Sequence, residues 1–208
     1  MVPSRHKRLN VCTPAQTLAF NKPYGVLSCF TDPEGRPTLA DYITLPDVYA
    51  AGRLDADSEG LLILTSDGAL ANRIADPRHK LTKVYLAQVE RIPGEDALNS
   101  LRRGVALKGG TTRPADVRLL AQDPGLPERP VPIRFRKSVP TSWLEIGLRE
   151  GMNRQVRRMT ASVGHPTLRL IRIAIGPVRL GNLPPGQWRA LTDQELFQLG
   201  GQTRSHLG

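Results

Sequence analysis

Hydrophobic residues recur along the chain with two periods, and the switches between them mark out its elements. TLAFNK, from Thr17, alternates with Leu18 and Phe20 on one side, as a strand does. Pro23-Tyr24-Gly25 makes a turn, and Val26 to Phe30 reads as a resumed extended run. A short helix is expected over Thr38 to Ile43. Leu61 to Leu64 is continuously apolar and too short for a lone helix, so it reads as a buried strand. Thr65-Ser66-Asp67-Gly68 stops it, with Ser66 or Asp67 placed to cap a helix over 69–74 that Asp76-Pro77 ends. Lys80 to Glu90 alternates again and predicts a strand with Lys83 and Tyr85 on one face. Glu95 to Arg103 has helical spacing, Leu98 and Leu101 inward, Arg102 and Arg103 outward.

Beyond this helix, Gly104 to Leu119 predicts strands broken at Gly109-Gly110, and the proline-rich stretch from Gln122 to Pro132 predicts a loop. Ser142 to Glu150 alternates as a strand. Asn153 is placed to cap a helix from Arg154 to Val163, closed by Gly164 and Pro166. On that helix Val156, Met159 and Val163 share one face, and Arg154, Arg157 and Arg158 the opposite one. Leu168 to Ile175 is apolar and β-branched with Arg169 and Arg172 embedded, a strand returning to a central sheet. Thr192 to Glu195 forms a capping box for a last helix ending at Leu199. Strands in hairpin-like succession with a few helices define an α+β domain over 17–199, between a flexible basic tail (1–16) and a frayed end (200–208).

Composition narrows the partners. The 208 residues carry a net charge of +10 and a pI near 10.3, a field that attracts polyanions. Only 5% are aromatic, which suits structured RNA gripped through phosphates better than stacked single strands. No apolar run approaches the roughly 18 residues of a membrane span, and the basic N-terminus lacks a signal-peptide core, so a cytoplasmic protein with no membrane partner is expected. Cys12 and Cys29 have no metal-ligand spacing and read as reduced thiols, with no metal site.

The candidate chemistry lies in AGRLDADSEGLLILTSDG, Ala51 to Gly68, a loop that presents Asp55 just after Gly52 and Arg53 and just before Asp57. Taken alone, these residues also describe a surface loop with ordinary ion pairs. The whole string resembles motif II of the RsuA-type pseudouridine synthases, which isomerise single uridines in ribosomal RNA. Three further stretches match in order: NKPYGVLS, a first motif near the active site; KVYLAQV, the strand carrying K-x-Y; and EGMNRQVRRM. The resemblance extends over about Leu18 to Leu196. It is greatest to the RluE branch, which acts on large-subunit (23S) ribosomal RNA, because only a short segment precedes the first motif where other members carry an S4 RNA-binding module.

The resemblance implies a pseudouridine synthase fold: a mixed, mostly antiparallel, bisected sheet flanked by helices, with two lobes around a central cleft. It implies that Asp55 is the catalytic acid, that Tyr85 stacks on the target base, and that Arg157 pairs with Asp55. Arg53 becomes the candidate for filling the space of a flipped base or gripping a flanking phosphate, while Asp57 is expected to organise the loop. Further RNA contacts are expected at Lys83, Asn153, Arg154 and Arg158. The run Arg134-Phe135-Arg136-Lys137 reads equally as an RNA contact and as a solvated edge strand. Where the family often has Arg, this chain has Met152. No cofactor is implied, and a monomer is expected. Two alternatives share these features: a non-catalytic ribosome-assembly factor, and a synthase for another rRNA or tRNA uridine.

Overall fold

The computed structural model describes residues 15–79, 81–133 and 138–201. In chain order its elements are β1 (Thr17–Lys22), β2 (Tyr49–Ala50), β3 (Glu59–Thr65), α1 (Gly68–Ala75), β4 (Lys83–Glu90), α2 (Glu95–Arg103), β5 (Ala106–Leu107), β6 (Gly110–Thr111), β7 (Asp116–Leu119), β8 (Thr141–Leu148), α3 (Gln155–Ser162), β9 (Thr167–Ile175), β10 (Val178–Arg179), β11 (Trp188–Ala190) and α4 (Asp193–Leu199). Among the described residues nine strands form one sheet in the order β11-β1-β3-β9-β4-β8-β7, with β2 on β3 and β10 on β9; β5 and β6 make a separate hairpin.

Every pairing in the large sheet is antiparallel except β3 with β9, and that parallel join is only two residue pairs long, Glu59 with Ile171 and Gly60 with Arg172. The sheet is therefore bisected. One lobe is built on β1 and β3, the other on β9, β4, β8 and β7, and the strands diverge beyond the join. Gly60 makes the join possible. Its φ is +100°, and an added Cβ would fall on the Arg172 carbonyl oxygen and within 2.8 Å of the Arg172 nitrogen.

β3 is apolar along its length because both of its faces are covered. Leu61 and Ile63 pack with Leu70 and Ile74 of α1 and Leu196 and Leu199 of α4. Leu62 and Leu64 pack on the other side with Leu18, Phe20, Leu39 and Ile43. A third cluster, under α2 and α3, joins Leu98, Leu101, Val156 and Met159 to Leu144 and Ile146 of β8.

The loop after β7 straps the lobes together. Asp123 accepts from the Trp143 indole at 3.1 Å, the Pro127 carbonyl accepts from Arg169 at 2.9 Å, and the Arg129 guanidinium sits 4.0 Å over the Tyr24 ring. Arg169 is also paired in two places with Glu59 across the join, at 2.7 and 2.9 Å, with both groups buried.

Several expectations need correction. Val26 to Phe30 is not a strand, because its backbone is drawn into loop contacts with Pro37, Leu39 and Lys22 rather than a ladder. The helix expected over Thr38 to Ile43 is a single 3-10 turn, Leu39–Asp41, capped by Thr38. Asn153 does not cap α3. The cap position is Arg154, in the left-handed region at φ 49°, and the Gln155 side chain instead accepts from the Met152 N–H at 3.0 Å. Arg157 does not share a solvent face with its neighbours; its side chain is 13% exposed. Asp67 caps α1 through two N–H groups, and Thr192 and Glu195 form the capping box of α4.

Candidate active site

Asp55 is held out by a tight turn that the first motif braces from two sides. The Ser58 N–H donates to the Asp55 carbonyl at 3.0 Å, and the Gly25 N–H to the Ala56 carbonyl at 2.7 Å. On the other side Ser28 Oγ donates to the Leu54 carbonyl at 2.7 Å and accepts the Leu54 N–H at 3.1 Å. The Pro-Tyr-Gly turn thus shapes the loop without offering a reacting group. Beneath it Lys22, fully buried, donates to the Pro23 and Val26 carbonyls. Burial, only partly offset by Glu59, lowers the Lys22 pKa to about 8.

The Asp55 carboxylate, 38% exposed, stands at a cleft of about 430 Å³ lying where the sheet divides. Tyr85 and Lys83 line it from β4, Arg172 from β9, Arg53 and Ser58 from the loop, and Asn153 and Arg154 from the entry to α3. A larger recess of about 690 Å³ lies between β1, β11 and α4, lined by Leu18, Trp188 and Leu196, and does not include Asp55 or Tyr85.

The arginine nearest Asp55 differs from expectation. Arg154, not Arg157, reaches it, with Nη1 3.7 Å from the Asp55 carboxylate. The cause lies in the start of α3: the left-handed backbone at Arg154 turns its guanidinium across the loop, where it also grips Asp57 in two places, at 3.0 and 2.7 Å. Arg157, three residues on, donates to the Asp57 carbonyl at 2.6 Å and the Thr167 carbonyl at 3.2 Å, with Nε 3.4 Å from the Asp57 carboxylate. Asp57 is thus the anchor of the loop. Burial would raise its pKa, but the Arg154 hydrogen bonds and the Arg157 charge prevail and hold it below the usual carboxylate range.

Arg53 is exposed on the rim, and its carbonyl accepts from Arg172 at 3.3 Å. Arg158 directs its guanidinium to the carbonyls of Asn153 and Lys108, tying α3 to the β5–β6 hairpin. Arg134, Arg136 and Lys137 lie outside the described residues. Arg172 and Lys22 are the residues that sequence reasoning passed over; a charge embedded in the apolar run Leu170-Ile171-Arg172-Ile173 was the available signal. Four buried side-chain polar atoms lack a hydrogen-bond partner among the described residues, and three of them, Ser58 Oγ, Arg157 Nε and Arg172 Nη2, surround this loop. Such groups cost stability, and their clustering marks a site kept for ligand contact.

An exposed acid beside an aromatic in a cationic cleft, split between two halves of one sheet, agrees with the sequence match. Residues 16–162 match the RNA pseudouridylate synthase family. The chain belongs to that family. It is therefore an enzyme that isomerises uridine to pseudouridine in RNA. It is 62% identical over 167 residues to the ribosomal large subunit pseudouridine synthase E of Xanthomonas axonopodis pv. citri, covering 79% of this chain and 88% of that one. It is 55% identical over 175 residues to the protein of the same name from Vibrio vulnificus, covering 84% and 74%. A crystal structure of a pseudouridylate synthase superposes with a TM-score of 0.75 at 30% identity, covering 89% of this chain and 74% of that one. Human RNA pseudouridylate synthase domain containing 1, at 17% identity and a TM-score of 0.54, shares the fold. Among the described residues no helix is long and apolar enough to cross a membrane.

Proposed function

We propose that this enzyme converts one uridine of large-subunit ribosomal RNA to pseudouridine, with Asp55 as the nucleophile. The observation that carries the reading is the placement of Asp55 and Tyr85 in one cleft with Arg154 3.7 Å from the carboxylate. The relatives named as large-subunit synthases support the choice of RNA.

The target nucleotide leaves its stack, at a cost of a few kcal/mol, and enters the cleft. Tyr85 offers its ring as a stacking face, and Arg53 on the rim fills the vacated space or holds the flanking phosphate. An Asp55 oxygen takes C1′ as the C1′–N1 bond breaks, the uracil turns, and its C5 then displaces Asp55 from C1′. C5 loses its proton and N1 gains one, so nothing is oxidised and no water is consumed. Arg154, 3.7 Å away, aims the carboxylate, while Arg157 acts one step removed by locking Asp57 and the loop. Asn153 and Arg158 lie along the RNA-facing entry to α3. A cytoplasmic monomer fits this reading.

Tritium release from rRNA labelled at uridine C5, by wild type and Asp55→Asn, tests it. Release by the wild type alone is expected, with binding retained in the variant. Normal release by Asp55→Asn removes Asp55 from the chemistry. Binding without release by either protein supports an assembly factor instead.

A further inference from the structure

The cations around the cleft fall into two groups. Arg154 and Arg157 are matched to Asp57, and Asp55 lies beside them, so that part of the site is close to neutral. Lys83 and Arg172 are different. Among the described residues neither has a carboxylate partner, and Lys83 has no hydrogen-bond partner. Arg172 is 3% exposed; Nε and Nη1 donate to the Leu61 and Arg53 carbonyls, and Nη2 has no acceptor. A guanidinium removed from water with an unsatisfied donor costs free energy, and a second cation beside it adds to that cost. Burial first, and then the Arg172 charge, lower the Lys83 pKa. An anion in the cleft would relieve both effects.

Their placement says which part of the substrate that anion is. Tyr85 lies opposite Arg172 in the β4–β9 ladder, and Lys83 is two residues before Tyr85 on β4. All three line the cleft together with Asp55. Arg172 is buried among the central strands, whereas Arg53 and Arg154 are on the exposed rim, where a phosphate backbone would pass. The inner pair therefore faces the flipped base.

We propose that Lys83 and Arg172 form a cationic shelf for the uracil ring, donating to its carbonyl oxygens as the glycosidic bond breaks and retaining the detached ring beside Tyr85 while it turns. This rests on the isomerase reading of the site. When C1′–N1 breaks, its electron pair stays with the uracil and spreads over N1, O2 and O4, while Asp55 takes the sugar carbon. Donors aimed at developing oxyanions are worth about 10²–10³ in rate each. The same charges keep a reactive base from escaping before C5 attacks C1′. Lys83 is thus a catalytic residue acting on the base, not a phosphate contact.

The test compares RNA carrying uridine or 5-fluorouridine at the position the wild type modifies. Loss of the N-linked nucleoside there is followed under single-turnover conditions. Fluorine stabilises negative charge on the ring, so it substitutes in part for the shelf. Lys83→Met should slow uridine cleavage by about 10²-fold, slow 5-fluorouridine cleavage by less than about tenfold, and leave the RNA Kd within about threefold. Lys83→Arg should recover part of the loss. An equal loss on both substrates, or a weaker Kd with an unchanged rate, overturns the proposal. Arg172→Lys repeats the comparison at the second position, and Lys83→Gln replaces Lys83→Met should the latter not fold. Wild-type turnover in the same assay reports on the isomerase reading separately.

Discussion

Replacing Gly60 with alanine puts the added methyl at the one place where, among the described residues, the two lobes share a ladder. At φ +100° a non-glycine residue is strained by about 1–3 kcal/mol before any contact is considered. The Cβ would also lie 2.9 Å from Ile171 Cγ2 and 2.8 Å from the Arg172 nitrogen, and backbone atoms cannot swing aside as a side-chain tip can. The strands must part, which weakens a two-pair join and the 2.7 Å bond from Arg172 to the Leu61 carbonyl. That bond is worth about 1 kcal/mol. These two terms sum to about 2–4 kcal/mol, which for a domain of this size lowers Tm by roughly 4–16 °C. Calorimetry reads the stability, and tritium release at a temperature where the variant is folded reads activity, which should fall because Arg172 is displaced from the cleft. Gly68→Ala is the control: no heavy atom lies within 4 Å of its Cβ and its φ is not positive. A Gly60→Ala protein with the wild-type Tm and activity would refute the account of the join.

Two further outcomes follow from the charges around the loop. Asp57→Ala should cost about 1–3 kcal/mol in urea unfolding at pH 7, a buried-pair value discounted because Arg154 is 43% exposed. The Asp57 carboxyl is held below its usual range, so its contribution is complete above about pH 4 and fades as pH falls through the lower folded value. The gap between wild type and variant should narrow in acid, and a constant gap would contradict the pairing. Lys22 titrates near 8 when folded and near 10.5 when unfolded, so between those values the unfolded chain binds more protons and stability rises with pH. Relative to Lys22→Met, wild type should gain up to about 3 kcal/mol across that window; a flat difference would show that Lys22 is not buried as described.

The elements were legible where one local rule decided them. Glu95 to Arg103 is a helix with matched ends, an acidic start, a basic finish and Gly104 beyond it. The Leu61 to Leu64 strand showed in its unbroken apolar run, which only burial on both faces explains. The errors arose where a distant partner decided the outcome. Val26 to Phe30 has the composition of a strand but no neighbour to pair with, because Lys22 and Pro37 claim its backbone. Asn153 has the chemistry of a cap, yet the left-handed turn at Arg154 shifts the helix start by one residue and changes which arginine faces Asp55. Arg172 carried a signal, a charge embedded in an apolar strand, but its meaning came only from the cleft that it lines with Asp55, Lys83 and Tyr85.

The order in which the chain is made bears on when the cleft can exist. β3 leaves the ribosome with its apolar run complete, but its parallel partner β9 follows about 110 residues later, as the Glu59 to Arg169 separation shows. At about 5–20 residues per second that is an interval of roughly 5–20 s during which the edge of β3 opposite β1 is paired only at its far end, with β2. A nascent chain halted before β9 already carries Asp55 and Tyr85 but has neither Arg172 nor the wall that encloses them. Catalytic competence and closure of the sheet are thus one late event, and an unfinished chain has no partly assembled site with which to act on RNA.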